Sequence, residues 1–177
     1  LTMKSLLIAI CFASPALLLA HSSPSPTEVD PPKEERHASL LQLVENRAFV
    51  LQSTSLYNGR GQLSEVSPSN NFLSVDGTDA TIQLMTKHLG LAGNDSSEVT
   101  LAGSLYQFEL RDRGVGKGLH VRMTFSGSTL TDMVMEISDS GHAILDLTNL
   151  YGERVRMKGS LIALEDSHLY VDHSENH

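Results

Sequence analysis

From Ala48 to Leu164 the chain alternates apolar and polar residues in short runs separated by Gly, Asn and Asp, the period-two signature of half-buried β-strands. The runs are Phe49 to Leu56, Phe72 to Val75, Ala80 to Leu84, Val99 to Leu110, Leu119 to Phe125, Met133 to Ile137, Ala143 to Leu147 and Val155 to Leu164. Turns this short cannot hold crossover helices, so they predict antiparallel hairpins. One segment breaks the period. From Glu34 to about Arg47, Leu40, Leu41 and Val44 fall on one face and Glu34, Glu35, Gln42 and Glu45 on the other, which predicts an amphipathic helix. The expected fold class is mainly β: an antiparallel curled sheet or barrel of about eight strands with one N-terminal amphipathic helix, a two-sheet β-sandwich being the alternative.

The hydrophobic pattern before the helix is of another kind. Lys4 precedes the apolar run Leu6 to Ala13, and Ser14-Pro15 separates it from Ala16-Leu17-Leu18-Leu19-Ala20. A single positive charge, a short apolar stretch and small residues at Ala20 and Ser22 predict a signal peptide over residues 1–22, cleaved after Ser22 in preference to Ala20. The stretch is interrupted by Pro15 and is shorter than the roughly 18 to 20 residues a spanning helix needs. Residues 23–36, rich in proline and poor in apolar residues, read as a tether. A single β domain over 37–166 and a polar tail over 167–177 complete the expected organisation. Cys11 is the only cysteine, and cleavage removes it. The mature chain would then lack disulfides, thiolate metal sites and a cysteine nucleophile, and its stability must come from a packed core. A net charge of −8 argues against nucleic acid, whose phosphates require clustered Lys and Arg.

Two halves of the β region resemble each other. Val99-Thr100-Leu101-Ala102-Gly103-Ser104-Leu105 parallels Val155-Arg156-Met157-Lys158-Gly159-Ser160-Leu161, and the turn and strand Val75 to Leu84 parallels Ser138 to Leu147. This reads as an internal repeat. The apolar phase shifts after Gly-Ser-Leu in both halves, which predicts a β-bulge in each strand and a sheet that bends over its own core.

Phe49-Val50-Leu51-Gln52, Pro68-Ser69-Asn70-Asn71-Phe72-Leu73-Ser74-Val75-Asp76-Gly77 with Ala80 to Leu84, Val99 to Gly103 and Arg154 to Gly159 resemble the domain-of-unknown-function family DUF4251. Asn71 to Gly77 is the most specific piece, and the likeness spans roughly Leu40 to Asp166. The resemblance implies a small exported protein with a cell-envelope or secreted address. It implies no reaction and no functional residues. The segment Thr86 to Ser97 and the acidic, histidine-bearing end depart from the family pattern.

Candidate chemistry is sparse. His168, His173 and His177 lie beside Asp166, Asp172 and Glu175, but a polar tail lacks the fixed shell a metal needs. Asp76, Asp79 and Asp139 sit in Gly-containing turns that their conformation explains without calcium. Gly114-Val115-Gly116-Lys117-Gly118 lacks the Ser or Thr and the helix of a phosphate loop and reads as a hairpin tip. No catalytic, cofactor-binding or metal residue is therefore assigned. The expected function is an exported, non-enzymatic binding or interaction module, its partner an unknown envelope protein or a small apolar ligand, with no nucleic acid and no membrane span in the mature chain. The alternative is a small hydrolase using strand-borne carboxylates, Glu109 and Glu136, with His120. A ligand carrier requires a cavity lined by residues such as Leu101, Met123, Phe125, Met135 and Met157. The hydrolase requires Glu109, Glu136 and His120 to converge in a cleft.

Overall fold

A computed structural model describes residues 30–85 and 98–168; the proposed signal segment, Thr86 to Ser97 and the tail from Leu169 onward lie outside the described residues. The alternating runs form nine strands: β1 (Ala48–Asn58), β2 (Leu63–Glu65), β3 (Phe72–Asp76), β4 (Asp79–Leu84), β5 (Val99–Asp112), β6 (Leu119–Ser126), β7 (Leu130–Ile137), β8 (His142–Asn149) and β9 (Arg154–Ala163). All pairings are antiparallel. β1 and β3 to β9 follow one another around the sheet, and β9 pairs back onto β1 from Phe49↔Ala163 to Asn58↔Val155. This closure settles the architecture as an eight-stranded barrel, in place of the sandwich alternative. β2 is a ninth strand that sequence reading omits. It adds three residues beside the second half of β1, beyond the point where β3 leaves it.

Period-two alternation delivers one face of every strand to the interior. On β6, Leu119, Val121, Met123 and Phe125 are buried while His120, Arg122 and Thr124 face outward. Leu51, Leu73, Met135, Leu145 and Met157 from the neighbouring strands are each wholly inaccessible to solvent. An eight-stranded barrel is just wide enough for such side chains to fill. Gly103 and Gly159 mark where strands approach most closely. A Cβ at Gly103 would strike the Ser126 carbonyl, and one at Gly159 the Gln52 carbonyl across the closing seam.

The two expected bulges fall differently. In β5 one extra residue lies between Tyr106 and Glu109, with Gln107 at φ 48, so the strand changes face after Leu105 as the phase shift predicts. In the second half the irregularity lies on the partner strand. β9 keeps its phase through Met157, Gly159 and Leu161, and β1 carries the extra residue between Ser53 and Ser55. Buried Ser53 answers the disturbed ladder, its Oγ lying 3.0 Å from the Ser55 carbonyl oxygen and 3.1 Å from that of Lys158.

The helix α1 spans Lys33–Glu45, beginning inside the stretch assigned to the tether. Glu34 and Glu35 sit in its first turn, where negative charge suits the helix dipole. Arg47, at φ 51, takes the left-handed conformation that ends helices, and its carbonyl accepts the Gly77 N–H of the β3–β4 turn. The buried stripe is His37, Leu40 and Val44, not Leu40, Leu41 and Val44. It covers the barrel end where β5 and β7 finish. The other end carries the β1–β2, β6–β7 and β8–β9 turns and has no helix among the described residues.

Candidate functional site

The barrel end away from the helix holds a pocket of about 190 Å³ lined by inward-facing residues. Ile82 and Leu84 of β4, Val99 and Leu101 of β5, Leu147 of β8 and Val155 of β9 give it apolar walls, while Thr129, Thr131, Asn149 and Glu153 supply the polar part. Alternation puts the strand residues among them there as inward positions towards their strands' ends, while Thr129 and Glu153 come from the β6–β7 and β8–β9 turns. Thr131 continues the inward series Met133, Met135 and Ile137 of β7 and is 6% exposed, whereas Leu130 points outward and is exposed.

The rim is fixed by turn chemistry. In the β8–β9 turn Asn149 Oδ1 accepts the N–H groups of Tyr151 and Glu153, both at 3.0 Å, and its Nδ2 donates to Glu153 Oε2 at 2.7 Å. Gly152 supplies the positive φ the turn requires. Asn58 arranges the β1–β2 turn in the same way, accepting from Arg60 and Gln62. Leu150 and Tyr151 project into solvent beside the mouth.

The helix-capped end is held by a buried imidazole. His37 lies 2.8 Å from Asp139 through Nδ1 and 2.9 Å from Asp112 through Nε2, joining α1 to the β7–β8 turn and the end of β5. Asp139 also accepts the Gly116 N–H, and Asp112 the Gly114 N–H at 2.7 Å, so both carboxylates are themselves held by the β5–β6 tip. The Asp139 hydrogen bond raises the affinity of His37 for its proton; burial opposes this, and Asp112 adds to the rise. Asp139 is correspondingly held below the usual carboxylate range by His37 and by the Gly116 N–H. Because the two carboxylates sit on opposite edges of one ring, this constellation clamps the helix and does not form a chelating site; among the described residues no group of three or more His, Cys, Asp or Glu could hold a metal ion.

Sequence reading missed His37, although its place three residues before Leu40 and seven before Val44 put it on the helix's inward stripe. Of the residues weighed for hydrolysis, His120 and Glu136 do meet, with Nδ1 to Oε1 at 2.8 Å, and Arg113 also pairs with Glu136. Burial would raise the Glu136 pKa, but Arg113 and His120 overcome it and leave it lowered. This trio lies on the outer surface of the barrel. Glu109 pairs across from Arg122, two residues along β6 from His120, and is not among the partners of that trio. Of the residues named for a hollow interior, Leu101 lines the pocket, while Met123, Phe125, Met135 and Met157 are packed core. Asp76 and Asp79 flank the β3–β4 turn as its conformation requires, and His173 and His177 lie outside the described residues.

The fold and part of the sequence have known counterparts. A crystal structure of a DUF4251 family protein from Bacteroides eggerthii shares 17% identity with the chain, covers 77% of it and 93% of its own length, and superposes with a TM-score of 0.63. At that identity the likeness is one of fold. None of the curated proteins matches the chain. The family model described as "Domain of unknown function (DUF4251)" matches residues 32–161, from the start of α1 to the end of the barrel, and the chain belongs to that family.

Proposed function

We propose that the protein is an exported, non-enzymatic binding module whose site is the apolar pocket in the mouth of the barrel, at the end away from the helix. The pocket carries this reading: about 190 Å³ exceeds the roughly 150 Å³ apolar cavity that admits benzene, so it suits a ring or a short acyl end and not a whole lipid. The packed mid-barrel sets the floor of the site, and the helix lies at the other end of the barrel. Export is supported by the N-terminal charge and apolar pattern.

Two measurements test the proposal. Toluene added to the purified protein is expected to shift the methyl resonances of Ile82, Leu84, Leu101, Leu147 and Val155 while leaving Met135 in place. Unchanged mouth resonances at saturating toluene would defeat the ligand reading. N-terminal sequencing of the protein recovered from its own cells is expected to begin at Ser23, or at His21 with the less favoured cleavage; a retained Lys4 would defeat export by cleavage.

A further inference from the structure

The mouth is not uniformly apolar, and its polar groups lie together. β4 and β8 stand opposite each other in the eight-stranded ring, so Ile82 and Leu84 face the wall that ends in Leu147 and Asn149. Thr131 is the direct cross-strand neighbour of Asn149. Asn149 in turn holds Glu153 through Nδ2 to Oε2, so Thr131, Asn149 and Glu153 are neighbours in the pocket lining. Thr131 is 94% buried in an inward position otherwise given to Met and Ile, and it lines the pocket. A hydroxyl lining an apolar pocket can accept a hydrogen bond from a ligand donor. Among the described residues that line the pocket none is Lys, Arg or His, and Glu153 is the one charged group.

We infer that the ligand is a small primary amine with an apolar body of about six carbons, its ammonium group donating to Glu153 and to the Thr131 hydroxyl while its chain lies against Ile82, Leu84 and Leu101. An ammonium group has three donors and no acceptor, which matches a wall of acceptors and one carboxylate. The same carboxylate repels fatty acids of equal length. This inference rests on the mouth being a ligand site, and it adds the charge and head group of what enters.

The test uses three probes of one length, hexylamine, hexanol and hexanoate, titrated into the purified protein at neutral pH and followed by calorimetry and the Thr131 methyl resonance. The expected order is amine, then alcohol, then carboxylate. Glu153→Gln is expected to weaken hexylamine by about threefold and to leave hexanol unchanged, the scale of an exposed ion pair. Thr131→Val keeps shape and removes the hydroxyl, and it is expected to weaken both amine and alcohol by about fivefold. Equal binding of all three, preference for hexanoate, or full amine affinity in both variants would overturn the amine assignment while leaving the pocket a ligand site. Failure of all three probes to bind, together with silence towards toluene, would overturn the ligand reading itself.

Discussion

Replacing His37 by Leu tests the clamp that seats the helix on the barrel. The variant keeps an apolar side chain on the buried stripe but removes two hydrogen bonds, 2.8 Å to Asp139 and 2.9 Å to Asp112. Hydrogen bonds to charged groups are each worth about 1.5 to 3 kcal/mol. The Asp112 side chain is 43% exposed, so its share is discounted for solvent screening, while the Asp139 side chain is 13% exposed and keeps its full value. The expected loss at pH 5.5 is about 3 kcal/mol by urea unfolding at unchanged m-value. The pH dependence is the sharper reading. His37 has a raised pKa in the folded protein, so its contribution is complete below the ordinary histidine value of 6.5 and disappears as pH rises through the raised one. Asp139 is lowered, so its contribution is complete above 3.8 and disappears as pH falls through the folded value. The gap in stability between wild type and His37→Leu is therefore widest between about pH 4 and 6.5 and closes on the alkaline side. A gap that stays constant from pH 5.5 to 9.5 would refute an imidazolium clamp and leave His37 as simple packing.

Three further substitutions address the barrel itself. Gly159→Ala places a methyl group against the Gln52 carbonyl at the closing seam and is expected to cost about 2 to 3 kcal/mol, read by thermal unfolding; an unchanged midpoint would mean that the seam yields. Asn71→Ala removes the buried amide that accepts the Met85 N–H at 2.8 Å and donates to the Ser67 carbonyl at 3.0 Å, with an expected loss of about 2 to 3 kcal/mol in urea unfolding. His120→Ala, on the outer surface, is expected to change stability by less than about 1 kcal/mol, and a larger loss would show that the His120, Glu136 and Arg113 cluster does more than pair on a solvated face.

The strands were legible because alternation is local. Eight runs read from the sequence correspond to eight strands, and Leu119 to Phe125 faces inward and outward as its pattern requires. β2 was not legible, since three residues with an exposed Leu63 carry no period. A barrel was expected, but the partners that close it were not legible: the β1–β9 pairing joins Phe49 to Ala163, and nothing near either residue encodes the other. The bulge after Leu105 left a phase shift in its own strand, whereas the bulge in β1 was masked by Ser53-Thr54-Ser55, three polar residues whose facing cannot be read. At the site, Leu101 was foreseen because it is apolar and inward. Thr131 and His37 were passed over because a polar residue on an apolar stripe looks like an error in the period until its neighbours are known. The specificity of Asn71 to Gly77 has a physical source in the buried Asn71, whose main chain and side chain tie β1, the β2–β3 connection and the end of β4 together.

The pairing of the first barrel strand with the last also governs how the chain reaches its fold. β1 can meet β3 early, but its other edge waits for residues more than a hundred positions later. Loop-closure entropy makes such a contact slow, and until it forms both β1 and β9 present unpaired edges. Most of the hairpins between them, from β3–β4 to β8–β9, are local and need no such wait. Folding should thus proceed as assembly of a curved open sheet followed by one late closing event. A chain cut before Arg154 would retain most of its hairpins yet remain permanently open, exposing to other molecules the two edges that β9 exists to join.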